Sequence, residues 1–316
     1  MNKKRLLSIV VISLLIAGST LVITVTAADE DLAEQYAPIL YFVDGEHCFP
    51  VAISYALENS YLFEIDNPTP LSTAPTAEML SVYSSEGYYL DNQRGTVSVD
   101  DNGIENDYQT KMTTLGFTIY AHVDTSTNSI QYWFFYAFNG GELNQHEGDW
   151  EMVQVVLSNG QPSEVMFSQH HTGQKATWDQ VEKEGDHVKV YVARGSHANY
   201  IKPYSGKVGL ASDTVADNGK ILRPTDYTIE LLSTQPWLDF AGHWGWVGTD
   251  QSTAAQTAIL GEAGPQGPKF REEGTMWQPT IWASGLQPAN DTLFIFEWLV
   301  YNFVLLFVLL TLLSLL

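Results

Sequence analysis

Three carboxylates and one imidazole fall within six consecutive residues, His146-Glu147-Gly148-Asp149-Trp150-Glu151. A strand-like apolar run follows directly, and a strand sends alternate side chains to opposite faces. A strand that begins near Asp149 therefore puts Asp149 and Glu151 on one face and Trp150 on the other. His146 reaches the polar face from the preceding loop, because Gly148 permits a sharp bend. An imidazole and two carboxylates at one point suit either a divalent cation or a general acid/base pair.

Other polar side chains stand where predicted strands end. Asn139 ends an aromatic strand, and its side-chain oxygen is a hard ligand of the kind that calcium and magnesium take. His170 follows the predicted strand Glu164–Gln169, and His197 follows the predicted strand His187–Ala193. Side chains at the ends of neighbouring strands meet at one edge of a sheet, so we expect these residues to converge with the acidic run. The predicted cation ligands are His146, Asp149, Glu151 and Asn139, and the candidates for proton transfer are His170 and His197.

Plainer interpretations exist for the same residues. His146, Asp149 and Glu151 also suit a salt-bridged cluster that closes a loop, although three titratable groups beside an apolar strand are costly to bury without a partner charge. Ser196 beside His197 suggests a nucleophile and its base. Adjacent side chains of an extended chain face apart, however, which disfavours a serine hydrolase built on that pair.

Between the two ends of the chain, short runs of β-branched and aromatic residues alternate with turns rich in Asn, Gly and Asp. Helical periodicity is clear only at Val51–Leu57. The segment Gln235–Trp282 is rich in tryptophan but has little strand character, which predicts long loops that pack indole rings against the sheets. This pattern indicates an all-β fold, an antiparallel β-sandwich with long Trp-rich loops. The predicted strands are Leu115–His122, Ser129–Phe138, Asp149–Leu157, Glu164–Gln169 and His187–Ala193.

Both ends of the chain have the character of membrane-targeting segments. Residues 1–28 join a basic start to an uncharged apolar run, the pattern of a signal peptide or an uncleaved signal-anchor. Residues 292–316 are long and apolar enough for a transmembrane helix. The basic start stays in the cytoplasm under the positive-inside rule. Residues 29–291 are therefore expected to form a single extracytoplasmic domain at the cell membrane.

Charge and cysteine content narrow the possible partners. The 316-residue chain has a formal net charge of −22, which argues against nucleic acid and anionic lipid as partners. Its single cysteine, Cys48, excludes an internal disulfide. An outward-facing domain without disulfides is more typical of a prokaryotic surface than of a eukaryotic one.

Short motifs spread over the predicted outer domain carry a family resemblance. They are Tyr36–Phe42, Phe49–Val51, His146–Glu151, Ser168–His170, Tyr191–Tyr200, Phe240–Gly245 and Gly264–Pro268. With these motifs in this order, the chain resembles the vacuolar protein sorting-associated protein 62 family. That family has no settled biochemical activity, so the resemblance implies a fold and a site more than a function.

The acidic run is also similar, more distantly, to the central motif of the necrosis- and ethylene-inducing peptide-like proteins, which are β-sandwich cytolysins. In that family the matching His, Asp and Glu hold a divalent cation together with an upstream Asp. The resemblance implies His146, Asp149 and Glu151 as ligands, with Asn139 in the place of the upstream carboxylate. Two departures matter: a second His of the motif is Gly148 here, and the amide of Asn139 adds no negative charge. A hard cation would bind more weakly or take a further ligand.

Two main functions are compatible with these residues. The first is a membrane-anchored outer-surface protein whose divalent-cation site (Ca²⁺, Mg²⁺, Mn²⁺ or Zn²⁺) binds a glycan, a lipid headgroup or a protein partner. The alternative is a metal-assisted hydrolase, in which the metal activates water and His170 or His197 transfers a proton. A third interpretation is a purely structural surface protein. In the cation-site interpretation, Glu147 faces solvent or supports the ligands, and Trp150 enters the core.

Overall fold

The structure is a computed structural model, and it describes residues 28–95, 102–141, 145–170, 172–208, 211–247 and 263–289. The predicted transmembrane helix at 292–316 lies outside the described residues, as do residues 1–27 of the predicted signal segment. Residues 28–35 are helical. Among the described helices, none combines the length and the apolar character needed to span a bilayer.

Strands dominate the described part of the chain, so the mostly β class predicted from the sequence is confirmed. In chain order the strands are β1 (Ile39–Phe42), β2 (Ser60–Glu64), β3 (Tyr88–Asn92), β4 (Thr118–Asp124), β5 (Ser129–Asn139), β6 (His146–Ser158), β7 (Gln161–Gln169), β8 (Thr172–Thr177), β9 (Lys183–Glu184), β10 (His187–Val192), β11 (Asn199–Tyr200), β12 (Tyr204–Val208), β13 (Ala211–Val215), β14 (Ile221–Leu222), β15 (Thr228–Leu231) and β16 (Gln287–Pro288).

The larger sheet has seven strands in the order β15-β4-β5-β6-β7-β8-β16. Strands β4 to β8 pair antiparallel in sequence order, whereas the edge strands β15 and β16 pair in parallel. The antiparallel expectation therefore holds for the centre of this sheet and not for its edges. Strand β5 is buried at every position, because both faces of the sheet are covered at its centre. The same central strands carry the acidic run.

A second sheet has the order β11-β10-β1-β14, with β9 paired to β10. Its strands β1 and β10 are parallel neighbours, although they lie far apart in the sequence. Leu40, Phe42 and Val190 of this sheet belong to the same hydrophobic core cluster as Phe134 of the larger sheet. Two further sheets of two antiparallel strands each, β2–β3 and β12–β13, are separate from these. The second sheet brings the segments around Glu46 and His197 to the larger sheet.

The described helices are short with one exception. Besides the helical residues 28–35, they are α1 (Ser54–Asn59), α2 (Ala77–Leu80), α3 (Asn102–Leu115) and α4 (Pro279–Gly285). Helix α1 lies where the sequence predicts one. Helix α3 differs from the sequence prediction, since its residues are mostly polar. Ile104 and Tyr108 lie one turn apart on α3 and are fully buried, which explains why the helix forms against the core.

The tryptophan-rich segment packs indole rings on one face of β6, as the sequence predicts. The ring centroids of Trp237 and Trp244 each lie 5.6 Å from that of Trp150. Phe135 of β5 joins the same group, with its centroid 5.1 Å from Trp150. Apolar packing therefore occupies one face of β6 and leaves the opposite face for the carboxylates.

Candidate functional site

The polar side chains predicted from the sequence lie together near the first residues of β6, and Glu46, which the sequence does not predict, joins them. We refer to this set as the polar cluster, which comprises Glu46, Asn139, His146, Asp149, Glu151, His170 and His197. Asp149 and Glu151 lie on the face of β6 opposite Trp150, as strand alternation requires, and both are almost fully buried. Asn139 enters the cluster because it pairs with His146 across the β5–β6 ladder.

Gly148 shapes the start of β6. Its φ of 59° lies in the left-handed region, and a Cβ at this position would stand 1.9 Å from the carbonyl oxygen of Trp244. The bend brings the carbonyl oxygen of Gly148 to 2.7 Å from Nδ1 of His146. A carbonyl oxygen only accepts, so Nδ1 carries the ring proton and Nε2 is the unprotonated nitrogen. Burial lowers the pKa of His146, which the charge of Asp149 opposes in part.

Asp149 is held through one of its two oxygens. Its Oδ2 lies 2.9 Å from Nδ1 of His197 and accepts a hydrogen bond from Nδ2 of Asn139 at 3.2 Å. The side-chain oxygen of Asn139 accepts from the N–H of Gly141 at 2.9 Å. Asn139 therefore turns its amide nitrogen toward Asp149, and in this arrangement it supports the carboxylate instead of offering an oxygen beside it. Burial alone would raise the pKa of Asp149, but the hydrogen bond from His197 and nearby positive charges lower it.

Glu151 differs from Asp149 in its protonation. Burial raises its pKa to about 8, and the negative charge of Asp149 adds to the rise. Its carboxylate accepts the hydroxyl of Ser168 and, at 3.1 Å, the backbone N–H of His170. The ring Nδ1 of His170 lies 3.6 Å from Oε1 of Glu151, and a quarter of its side chain is exposed. His170 is thus the member of this pair that solvent reaches.

His197 is enclosed between two carboxylates. Its Nε2 lies 3.7 Å from Oε1 of Glu46, and its ring stacks on Tyr136 with centroids 3.7 Å apart and planes within 1°. Burial disfavours the charged imidazolium, but the hydrogen bond to Asp149 and the negative charges of Asp149 and Glu46 outweigh it and raise the pKa of His197 to about 9. No part of His197 is exposed. A proton on this ring therefore has no direct path to a substrate.

Two charged members of this region carry no recognisable signal in the sequence. Glu46 lies about a hundred residues upstream of Asp149 and meets His197 only because β1 and β10 are neighbours in the second sheet. Arg271 lies in a turn far downstream, and its charge lowers the pKa of Asp149 and opposes the rise at Glu151. A single sequence gives no indication that either residue approaches the acidic run.

Glu147 has a different position from the one expected. Its Oε2 accepts the backbone N–H of Asn92 in β3 at 2.9 Å and that of Trp246 at 3.0 Å. Its side chain is almost fully buried. The expectation that Glu147 faces solvent or supports the ligands is corrected: this carboxylate joins β3 and the 244–247 segment to the start of β6.

The polar cluster contains side chains of the kinds that bind metals. However, no three His, Cys, Asp or Glu side chains among the described residues are placed to hold a metal ion together. Hydrogen bonds also engage most of the carboxyl oxygens of the cluster. Asp149 is engaged by His197 and Asn139, and both oxygens of Glu151 accept hydrogen bonds. Within the part of the chain that the structure describes, no hydrogen bond engages Nε2 of His146 or Oδ1 of Asp149, and these are the ligand atoms that a cation would meet first.

Comparison with known proteins places the chain in a family. Residues 25–253 match the vacuolar protein sorting-associated protein 62 family. The chain belongs to this family. The matched range includes every residue of the polar cluster and confirms the resemblance carried by the sequence motifs. No curated protein matches the chain.

Solved structures similar to the chain are necrosis- and ethylene-inducing proteins. NLPPya in complex with glucosamine has 14% sequence identity and a TM-score of 0.41, over 82% of this chain and 90% of that chain. Necrosis and ethylene inducing protein 2 from the causal agent of cocoa's witches' broom disease has 16% identity and a TM-score of 0.34, over 66% and 76%. The non-toxic HaNLP3 protein has 15% identity and a TM-score of 0.33, over 63% and 74%.

Proposed function

We propose that the protein is a membrane-anchored, extracytoplasmic β-sandwich protein that binds an oxygen-rich ligand through a divalent cation at the start of β6. The observation that carries this proposal is the orientation of His146. Its Nδ1 is committed to the carbonyl of Gly148, which leaves the unprotonated Nε2 as a donor near the buried carboxylate of Asp149. Metal-binding histidines commonly bond a backbone carbonyl through the second ring nitrogen in this way.

The small number of free donors indicates the type of cation site. One imidazole and one carboxylate leave most positions of a cation open for water and for oxygens of a ligand, and a mixed nitrogen and oxygen set suits Zn²⁺ or Mn²⁺ better than Mg²⁺, which takes oxygen ligands. His146 and Asp149 would hold the cation, and Glu151 would join after losing its proton. A hydroxyl or phosphate oxygen of the ligand would complete the coordination. A glycan and a lipid headgroup both supply such oxygens, and a cation would offset the repulsion between an anionic headgroup and this acidic protein.

A metal-assisted hydrolase is the second candidate function. The exposure of His170 beside Glu151 favours it, because that ring is within 3.6 Å of a carboxyl group and also open to solvent. His197 is a poorer proton-transfer group, since it is enclosed and both of its nitrogens face carboxylates. His170 would therefore be the proton-transfer group of a hydrolase.

Cation binding is tested with the full-length protein and Mn²⁺ as a probe, by titration calorimetry and by metal analysis after dialysis. Asp149→Asn removes the charge at nearly constant volume, and Asp179→Asn changes an exposed aspartate of another surface as the matched control. We expect Mn²⁺ binding by the wild type and by Asp179→Asn, and at least about a tenfold loss of affinity in Asp149→Asn. Equal affinity in all three proteins would remove the cation site from the proposal.

The ligand is tested in a second step, with a glycan array and with vesicles of neutral or anionic phospholipid, each in Mn²⁺ and in chelator. Retention that requires Mn²⁺ and Asp149 supports the proposed function, and the surface that retains the protein identifies the ligand source. Cation-dependent cleavage of a bound glycan or lipid that is lost in His170→Gln would instead support the hydrolase. Retention that is identical in chelator would contradict cation-mediated binding.

A further inference from the structure

A row of three buried charged side chains runs from the second sheet to the start of β6. Oε1 of Glu46 lies 3.7 Å from Nε2 of His197, and Nδ1 of His197 lies 2.9 Å from Oδ2 of Asp149. The side chains of all three are at most 3% exposed. A charge removed from water at this depth requires a partner on each side. In this row His197 is the shared partner of two carboxylates.

The outer end of the row is fixed by the backbone. Oε1 of Glu46 accepts the N–H groups of His47 and Cys48, both at 2.8 Å, and its Oε2 accepts the N–H of Gly195 at 2.8 Å. Three backbone donors hold the Glu46 carboxylate in one orientation. Glu46 is therefore an anchored acceptor and not a mobile counter-charge.

The loop that carries His197 is fixed against the end of β5. The N–H of Gly140 donates to the carbonyl of Gly195 at 2.9 Å, and a Cβ on Gly195 would lie 2.8 Å from the carbonyl oxygen of Gly140. The ring of His197 then lies flat on Tyr136 of β5. The position of the imidazole is thus set by the stacking on its face and by the hydrogen bond at Nδ1, while Nε2 faces Glu46 without a hydrogen bond.

At the inner end of the row, the two oxygens of Asp149 have different surroundings. Oδ2 accepts from both His197 and Asn139, whereas neither donor reaches Oδ1. We infer that Glu46 and His197 are positioning residues that fix the Asp149 carboxylate through Oδ2, so that a bound cation meets Oδ1. The inference rests on the proposed cation site, and it makes Asp149 a one-oxygen ligand of fixed direction. Partners that orient a metal ligand in this way typically contribute a 10–100-fold factor in metal affinity.

The decisive variant is Glu46→Gln, which keeps the shape of the side chain and removes its charge. Glu184→Gln is the matched control, because Glu184 bears ion pairs with Lys189 and Arg223 on an exposed surface. Full-length protein is titrated with Mn²⁺, and affinity is expressed per folded molecule. A merely structural residue changes the folded fraction without changing this affinity. We expect affinity about tenfold to a hundredfold weaker in Glu46→Gln and unchanged in Glu184→Gln.

A second readout does not depend on the cation. In ¹⁵N-histidine-labelled protein, the Nδ1–H signal of His197 reports its hydrogen bond to Asp149, and the Nε2–H signal reports the charge of Glu46, which Nε2 faces at 3.7 Å without a hydrogen bond. We expect Glu46→Gln to shift the Nε2–H signal and also the Nδ1–H signal that reports the bond to Asp149, while Glu184→Gln leaves both in place. A Glu46→Gln protein with an unchanged Nδ1–H signal overturns the positioning role.

The two readouts separate the two proposals. Wild-type binding with equal Mn²⁺ affinity in Glu46→Gln overturns the positioning role and leaves the cation site standing. Absence of Mn²⁺ binding by the wild type overturns the proposed function, and the ring signals alone then decide whether Glu46 acts on Asp149 through His197.

Discussion

Consecutive residues of the 146–151 run contact different parts of the structure. Glu147 binds the backbone of two other segments, and Gly148 makes room for the carbonyl of Trp244. Asp149 enters the buried charged row, while Trp150 packs among aromatic rings on the opposite face. A substitution in this run therefore tests one neighbour at a time. Its effect depends on the face of β6 to which the residue belongs.

Gly148→Ala should be among the most destabilising single substitutions in the chain. Alanine at a φ of 59° costs about 1–2 kcal/mol, and the clash with the Trp244 carbonyl adds overpacking strain of a further 1–3 kcal/mol or so. We expect the free energy of unfolding to fall by about 3 kcal/mol, as measured by urea denaturation.

Gly160→Ala is the matched control for that substitution. Gly160 has a φ of 75° in an exposed turn, and a Cβ there would meet no atom within 4 Å. It should therefore lose only the conformational part, about 1–2 kcal/mol. Equal losses in the two variants would show that the loop carrying Trp244 moves aside.

Cys48 should be inert in the folded protein. The thiol is buried, and burial, reinforced by the charges of Glu46 and Glu105, raises its pKa well above the ordinary value. A thiolate is the reactive form of cysteine, so we expect no labelling by a thiol reagent until denaturant is added. Rapid labelling of the native protein would reveal that the Glu46 segment opens.

At the scale of elements, local composition predicts the central strands well. Predicted Ser129–Phe138 is observed as Ser129–Asn139, and predicted Glu164–Gln169 lies within Gln161–Gln169. These strands are rich in β-branched and aromatic residues and are bounded by turns, so their pattern is local. β6 begins at His146 instead of Asp149, because the ladder with β5 continues past Gly148 to the pair Asn139–His146.

Features that depend on distant parts of the chain are not predictable in this way. The residues of α3 are mostly polar, so their pattern does not predict a helix, although Ile104 and Tyr108 of α3 are buried in the core. The parallel pairing of β1 with β10 has no local signal, and it is this pairing that brings Glu46 to His197. His197 is predicted as a site residue because it follows a strand. Its enclosure by two carboxylates becomes visible only with the second sheet in place.

Glu147→Gln should weaken the connection among three elements. The carboxylate accepts N–H groups from β3 and from Trp246, and hydrogen bonds to a charged acceptor are worth about 1.5–3 kcal/mol. We expect a loss of that size in the free energy of unfolding, together with faster hydrogen exchange at the amides of Asn92 and Trp246. Glu164→Gln, on an exposed position of β7, should change neither quantity.

For the whole molecule, the buried charges and the net charge of −22 determine how stability depends on pH. The raised pKa values of Glu151 and His197, about 8 and about 9, mean that the folded protein holds protons that the unfolded chain releases earlier. Their effect is a loss of stability as pH rises through these values. The pKa values of Asp149 and Glu46 are lowered, so these two carboxylates contribute stability that is lost as pH falls into the acid range.

Burial also lowers the pKa values of His122, His146 and His243, so these neutral rings lose stability as pH falls below their ordinary value of 6.5. The free energy of unfolding should therefore be greatest near neutrality, at roughly pH 6.5, and should decline toward pH 9. Glu151 contributes between its ordinary pKa of 4.5 and about 8, and His197 between 6.5 and about 9.

Repulsion among the surface carboxylates also grows with pH, but salt at about 1 M screens it and leaves the buried groups largely unaffected. Urea denaturation at several pH values in high salt isolates the buried contribution. Glu151→Gln, which cannot ionise, should flatten the decline below pH 8 and keep the later loss from His197. A wild-type profile that becomes flat in high salt would assign the whole pH dependence to the surface.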